Sequence, residues 1–431
     1  MIYMQYENLK KKYFEKSKSL VKPIKLLPKK TYNISIIIPA LMESQNIKKL
    51  LRSLEKNEKN ILSKTAVIFV INNSENAPRE IKEDNKKLSE FLESNNGKNL
   101  NIGYIDVYSN ENALPEKIAG VGTARKIGAD SFIYNFEFES SEPKIIVFLD
   151  ADCIVSENYL STISNFFKNT NFYFATINYS HYFIEDIEIN EAIAYYESFL
   201  RYYTLSLKRA RSPYSFHAIG STIAFLTEGY LKIGGMNQKK AGEDFYFLEK
   251  ARKTFEIGYI PEVLVFPSPR KSFRVPFGTG RAIADILSGR KSYKQFLSFD
   301  NFEILKKWNE VFLEKNYLDE KKYLLEAEKI TSHLLNFLLL SGFEKDFKEI
   351  FRDRLDEKKL LAKKIEWFDA LKTLKLLHYL RNNLKPDEDW NLSLKKLFNA
   401  LNENIQSSDI FESLNLLRTI YNKYICYEKR Y

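Results

Sequence analysis

Ile145-Ile146-Val147-Phe148-Leu149-Asp150-Ala151-Asp152 is the stretch on which the fold turns. An unbroken apolar run, rich in β-branched residues, suits a strand buried on both faces, and Asp150 ends it. A buried strand does not finish in two carboxylates unless something compensates their charge. In an extended segment a spacing of two sends both side chains to the same side. Two hard oxygen ligands there suit Mg²⁺ or Mn²⁺ shared with a diphosphate. The same pair also suits a plain strand-end turn with exposed aspartates.

Working back toward the N-terminus, Ile34-Ser35-Ile36-Ile37-Ile38 reads as another buried strand, with Pro39 ending it. A helix follows, with Ile47, Leu50, Leu51 and Leu54 on one face. Ala66 to Ile71 is strand-like and stops at Asn72-Asn73-Ser74, residue types that favour turns. Asn101 to Tyr108 is a further strand, and Gly120 and Gly122 lead into a helical segment with Ala124, Arg125 and Ile127. Strands alternating with helices predict a mainly parallel sheet, with ligands beyond the carboxyl ends of its strands. Glu43, Asn72 to Ser74, and Asp150 to Asp152 all fall at such ends.

Downstream, His217-Ala218-Ile219-Gly220-Ser221 precedes an apolar strand, Thr222 to Leu226. Gly234-Gly235-Met236-Asn237 follows, and its glycines suit a tight turn or a backbone approaching a ligand. Gly242-Glu243-Asp244 opens a helix carrying Phe245, Phe247, Leu248 and Ala251. Carboxylates at a helix start serve as caps, and a helix start is also a rigid place to hold a base. From about residue 291 the pattern is helical. One apolar stripe runs through Leu334, Leu335, Leu338 and Leu339, and another through Leu360, Leu361, Ile365, Phe368 and Leu371. These are packing surfaces and name no chemistry. The predicted division is a basic extension over 1–30, an α/β domain over 31–290 and an all-helical region over 291–431.

With 431 residues, 44% hydrophobic and 28% charged, the composition is that of a folded protein with more than one compact part. Cys153 and Cys426 make no disulfide framework, so a reducing compartment is the simpler expectation. Met1 to Lys12 has no apolar core of the signal-peptide kind, and no run of about 18 apolar residues occurs. A cytoplasmic location is expected, with the inner face of the membrane left open as one place within it. The net charge of +10 is uneven: residues 1–30 hold nine lysines against Glu7 and Glu15, a local balance of +7. Such an arm, with Tyr3, Tyr6, Tyr13 and Phe14, is open to three readings. It suits a solvated extension, an anionic lipid surface, or nucleic-acid phosphates.

Taken in order, Pro39-Ala40-Leu41-Met42-Glu43, Asn72-Asn73-Ser74, Ala124-Arg125-Lys126, Leu149-Asp150-Ala151-Asp152, Gly234-Gly235-Met236-Asn237 and Gly242-Glu243-Asp244 resemble the family 2 glycosyltransferases with the GT-A fold. The resemblance covers about residues 33–270. It implies a Rossmann-like, mainly parallel sheet with helices on both faces. It places Pro39, Glu43, Asn72, Ser74, Arg125 and Asp150 at a nucleotide-sugar donor, and Asp152 with Asp150 at the metal. Asp244 matches the catalytic base of inverting members, with Glu243 beside it. The implied activity is inverting, Mg²⁺- or Mn²⁺-dependent transfer from a nucleotide sugar, a UDP-sugar foremost, to a glycan or glycolipid acceptor of the cell surface. Leu41, Met42 and Asn72 depart from the family's commonest residues, which leaves the base open. Pro267 stands near a position where many members carry a histidine, for which His217 is a candidate substitute. Arg270, Lys271, Arg274 and Arg281 surround Pro276-Phe277-Gly278-Thr279-Gly280, a basic segment suited to closing over a diphosphate.

One base with one metal fits transfer better than glycoside hydrolysis, which uses a second carboxyl as acid. The rivals are a sugar-phosphate nucleotidyltransferase and a non-catalytic protein binding membrane or nucleic acid. The first lacks its glycine- and arginine-rich signature near residue 40, and the second leaves the acidic motifs unexplained. Nucleic acid is therefore not an expected partner.

Overall fold

A computed structural model describes residues 2–16, 19–95, 99–137, 142–239, 241–271, 278–290, 294–317, 319–351, 356–403 and 407–426. The chain divides into two compact units. One comprises residues 1–183, 218–278 and 427–431, the other residues 184–217 and 279–426. The division differs from the boundary expected near residue 290, because residues 184–217 go with the C-terminal unit.

The first unit is built on one sheet. Its strands are β1 (Ile34–Ala40), β2 (Thr65–Asn72), β3 (Asn101–Val107), β4 (Ile145–Phe148), β5 (Ile154–Val155), β6 (Phe174–Tyr179), β7 (Ile223–Leu226) and β8 (Ile257–Phe266). They lie in the order β3-β2-β1-β4-β7-β6-β8-β5. The run β3-β2-β1-β4 is parallel, and so is β6 with β8. Strand β7 is antiparallel to both its neighbours, and β5 to β8. The sheet is thus mainly parallel, as expected. In chain order α1 (Ile2–Lys16), α2 (Ile47–Glu55), α3 (Lys59–Ser63), α4 (Arg79–Ser94), α5 (Val121–Asn135) and α6 (Tyr159–Asn169) precede α7 (Ile187–Arg209). Helices α8 (Thr227–Lys232) and α9 (Glu243–Thr254) follow it, and only α7 of these nine lies in the second unit.

Both faces of the sheet are covered, which is why its strands read as continuous apolar runs. Leu50 and Leu54 of α2, Leu88 and Leu92 of α4 and Leu160 and Ile163 of α6 pack with Ile36, Ile38, Phe69 and Val147 on one face. Helix α5 lies on the other, where a Cβ at Gly128 would stand 2.3 Å from Ile37 Cγ2 and 2.9 Å from Val70 Cγ2. Only glycine lets α5 come that close to the sheet. Phe247 of α9 meets Phe148 and Phe225 on this same face. Each such large side chain withdrawn from water contributes about 1.5–3 kcal/mol.

Pro39 does not end β1, which runs on to Ala40. Ile37 O accepts from Leu149 N, so Ile37 faces β4, and by alternation Pro39 faces that side too. Pairing with β4 stops at Ile37, so the missing N–H of Pro39 leaves no ladder bond unmade.

Residues 1–30 are not simply a solvated extension. Their first part is α1, and Tyr6 and Tyr13 are buried. Tyr13 Oη donates to Asp130 Oδ1 at 2.8 Å and accepts from Lys126 Nζ at 2.9 Å. Lys126 pairs with Asp130 at 2.8 Å, and Tyr230 Oη also donates to Asp130 at 2.8 Å. Gly235, at φ +69°, lies so close that a Cβ there would be 2.2 Å from Tyr13 Oη. Further on, Lys25 bridges to Tyr104 at the β3 edge of the sheet.

Among its described residues the second unit is helical apart from a two-residue ladder between Gln295–Phe296 and Glu388–Asp389. Its α7 buries Glu197 and Arg201 completely, with Arg201 Nε 2.8 Å from Glu197 Oε1. Arg418 closes on the same carboxylate at 2.8 and 2.9 Å. The expected stripes hold at Leu334, Leu338, Leu360, Ile365 and Phe368, whereas Leu339 and Leu361 are exposed. Among the described residues no helix is long and apolar enough to cross a membrane.

Candidate active site

At the carboxyl ends of β1, β2 and β4 the chain leaves the sheet and delivers its polar residues. Leu149 continues β4, and Asp150-Ala151-Asp152 then forms a turn closed by Cys153 N on Asp150 O at 3.2 Å. The segment is therefore a turn rather than extended, and each carboxylate engages a different arginine. Asp150 Oδ1 accepts from Arg125 Nη2 at 2.6 Å, while Asp152 Oδ2 accepts from Arg270 Nε at 2.7 Å.

Arg125 stands near the start of α5 and is 2% exposed. Its Nη1 donates to Glu243 Oε1, so one guanidinium joins the end of β4 to the start of α9. Asp150, then Glu243 and Asp244, outweigh the loss of hydration at Arg125 and hold its proton more tightly than usual. Space for the guanidinium comes from Gly220, where a Cβ would stand 2.2 Å from Nη2 and 2.4 Å from Nη1. The lack of a side chain at Gly220 thus admits Arg125.

Glu243 and Asp244 are the first residues of α9, entered through Gly242 in the left-handed conformation at φ +66°. Asn237 Nδ2 donates to Glu243 O at 2.8 Å and ties down that entry. Glu243 is buried against Arg125, whereas Asp244 is partly exposed. Burial pushes both carboxyls above their ordinary range; Arg125 opposes this, and Asp150 adds to it. Three carboxylates around one guanidinium hold more negative charge than it can neutralise.

The second cluster faces the first loop. Glu43 is buried, accepts from Asn46 Nδ2 at 2.7 Å, and also receives Arg270 Nη2. Arg270 thus spans from Glu43 to Asp152, with 28% of its side chain exposed. Asn72, at the end of β2, is buried and spends its amide N–H groups on Ala40 O and Val70 O. Ser74 bridges to Leu114, and Pro39 is held in β1.

The other expected residues fall in the second unit or outside the described residues. His217, in the second unit, is buried with Nδ1 3.1 Å from Tyr421 Oη. Arg281 pairs along its own helix with Asp285 at 3.0 Å. Arg274 lies outside the described residues.

Asn85 was not singled out by the sequence and is central. Fully buried on α4, it accepts from Met42 N at 3.0 Å. It donates to Asn72 O at 3.1 Å and to Asn73 Oδ1 at 2.8 Å. It fixes the loops that carry Glu43 and Asn72. Its signal was a polar residue standing on the stripe of Leu88, Ser89 and Leu92.

Among the described residues no group of three or more His, Cys, Asp or Glu side chains is arranged to hold a metal by itself. Mg²⁺ and Mn²⁺ need less where a substrate phosphate and water complete the shell. Asp150, with 40% of its side chain exposed, and Asp152, already facing a cation in Arg270, fit such a shared site.

No family model and no curated protein matches the chain. Among solved structures, S. aureus TarS 1–349 in complex with UDP-GlcNAc is similar at 13% identity and a TM-score of 0.38, over 91% of this chain and 89% of that one. Mannosyltransferase PcManGT from Pyrobaculum calidifontis, in complex with GDP-Man and Mn²⁺, is similar at 12% identity and a TM-score of 0.38, over 86% of this chain and 94% of that one. At such values the similarity identifies no activity, and the site's own residues carry the functional reading.

Proposed function

We propose that this chain is an inverting glycosyltransferase of the GT-A type, taking a sugar from a nucleotide-diphosphate donor to an acceptor hydroxyl. The observation that carries the reading is the convergence of Arg125, Asp150, Glu243 and Asp244 from three separate segments at the end of a mainly parallel sheet. The second cluster, Glu43, Asp152 and Arg270, supports it by offering both signs of charge to a diphosphate.

Within this reading Asp244 is the general base. Glu243 is buried and engaged by Arg125, whereas Asp244 reaches solvent, where an acceptor hydroxyl can approach. Its raised pKa makes it a stronger proton acceptor than an ordinary carboxylate. The hydroxyl oxygen attacks the anomeric carbon, its proton goes to Asp244, and the bond to the diphosphate breaks with inversion. Asp152 and Asp150 would hold Mg²⁺ or Mn²⁺, which when bound offsets charge on the leaving diphosphate. Arg125 orients Asp150 and Glu243 from beneath. The family resemblance makes a UDP-sugar the first donor to try and a glycan or glycolipid the first acceptor class.

A nucleotide-sugar panel with Mn²⁺, read as donor hydrolysis and as calorimetric binding, tests the proposal. One donor should bind, and Asp152→Ala should abolish metal-dependent binding while the circular dichroism spectrum stays that of the wild type. Wild-type affinity for donor and metal in that variant removes the metal assignment.

A further inference from the structure

Arg270 has a position that its expected place in a basic loop over a diphosphate does not explain. Its guanidinium fork is divided between Glu43, at the end of β1, and Asp152, in the turn after β4. Glu43 is 6% exposed and anchored to Asn46, so Arg270 is fixed at that end. At the other end its Nε sits 2.7 Å from Asp152 Oδ2, a carboxylate assigned above to the metal. Held there, the guanidinium repels a divalent cation at that oxygen and competes with it for the carboxylate.

We propose that Arg270 is a built-in cation that occupies Asp152 until metal and nucleotide arrive, then releases it and takes the diphosphate. The proposal rests on the glycosyltransferase reading and adds an exchange to it. Metal entering alone must displace a tethered cation, so its affinity for the free protein is lowered. A diphosphate offers the displaced fork two acceptor oxygens in the planar geometry that suits it. Metal and nucleotide therefore assist one another, and the coupling is reciprocal. With neither present, Arg270 offsets charge on the Glu43 and Asp152 carboxylates, both largely withdrawn from water.

The test measures Mn²⁺ binding to the full chain by calorimetry without nucleotide, and then UDP binding in saturating Mn²⁺. Arg270→Gln keeps a polar side chain, shorter than arginine, and loses its charge; Arg270→Lys keeps the charge and loses the fork. The exchange predicts that Arg270→Gln binds Mn²⁺ about tenfold more tightly, the size of one charge-assisted hydrogen bond at a part-exposed site. It also predicts that UDP, with Mn²⁺ present, binds about tenfold more weakly. Arg270→Lys shifts both affinities in the same directions by less. A residue that merely braces Asp152 moves both affinities downward together. Unchanged or weaker Mn²⁺ binding in Arg270→Gln overturns the exchange while leaving the metal site standing. If the wild type and Asp152→Ala bind Mn²⁺ alike, the metal site and the exchange both fall.

Discussion

Gly220→Ala probes the core of the site with a single methyl group. Built on the present backbone, the new Cβ lies 2.2 Å from Arg125 Nη2, 2.4 Å from Nη1 and 2.5 Å from Cζ. Ordinary contact begins near 3.4 Å, so the guanidinium has to retreat by more than about 1 Å. A long side chain on the surface makes such a move cheaply. Arg125 does not, because it is 2% exposed and both its carboxylate partners are already at short range. At least one charge-assisted bond therefore breaks, at about 1.5–3 kcal/mol. Asp150 is 40% exposed and water can replace part of that loss, so the lower half of the range is expected. Chemical denaturation followed by circular dichroism should show a lower midpoint at an unchanged slope. Donor affinity should fall with it, since Asp150 and Glu243 lose their shared support. A variant within about 0.5 kcal/mol of wild type, with donor affinity intact, refutes the claim that Arg125 is locked.

Two further outcomes follow from the same geometry. Tyr13→Phe removes the hydroxyl that Lys126 and Asp130 share, leaving each buried charge one partner short. It should destabilise the protein by about 1–3 kcal/mol, and a wild-type denaturation midpoint argues against the docked position of α1. The pH profile of kcat/KM should show its acid limb above the ordinary aspartate value of about 4, because burial raises the pKa of Asp244 and the base must be ionised. The sign carries over to stability: a carboxyl with a raised folded pKa favours the folded state at low pH, and that contribution is lost as pH climbs through the folded value. An acid limb at or below about pH 4 contradicts the environment assigned to Asp244.

Strands β5, β6 and β8 were not read; β1 to β4 and β7 were legible because burial on both faces leaves an unbroken apolar run, as in Ile145 to Leu149 and Ala66 to Ile71. Their polar ends were legible for the same reason, since carboxylates beside such runs stand out. Helix α7 was not. It buries Glu197, Ser198 and Arg201 along with its apolar residues, and a helix enclosed on most sides shows no clean stripe. Ion pairing was equally hidden. Nothing in the spacing of Arg125, Asp150 and Glu243 says that they meet, or that Arg270 would face Asp152 rather than solvent, because such pairs are set by the sheet order. Pro39 misled in a specific way: proline ends a strand only where its N–H is needed, and β4 has already turned away at that point.

Asp244→Asn separates a general base from a helix-opening residue, through turnover of the donor and acceptor identified by the screen. Asparagine keeps the shape and the helix-start preference of aspartate, so a residue that only opens α9 tolerates the change with little cost. A base does not, because the proton acceptor is gone. Turnover should fall by roughly 10²–10⁴-fold in kcat, with donor affinity and unfolding midpoint near those of the wild type. A correctly folded Asp244→Asn enzyme turning over at close to the wild-type rate contradicts the base assignment.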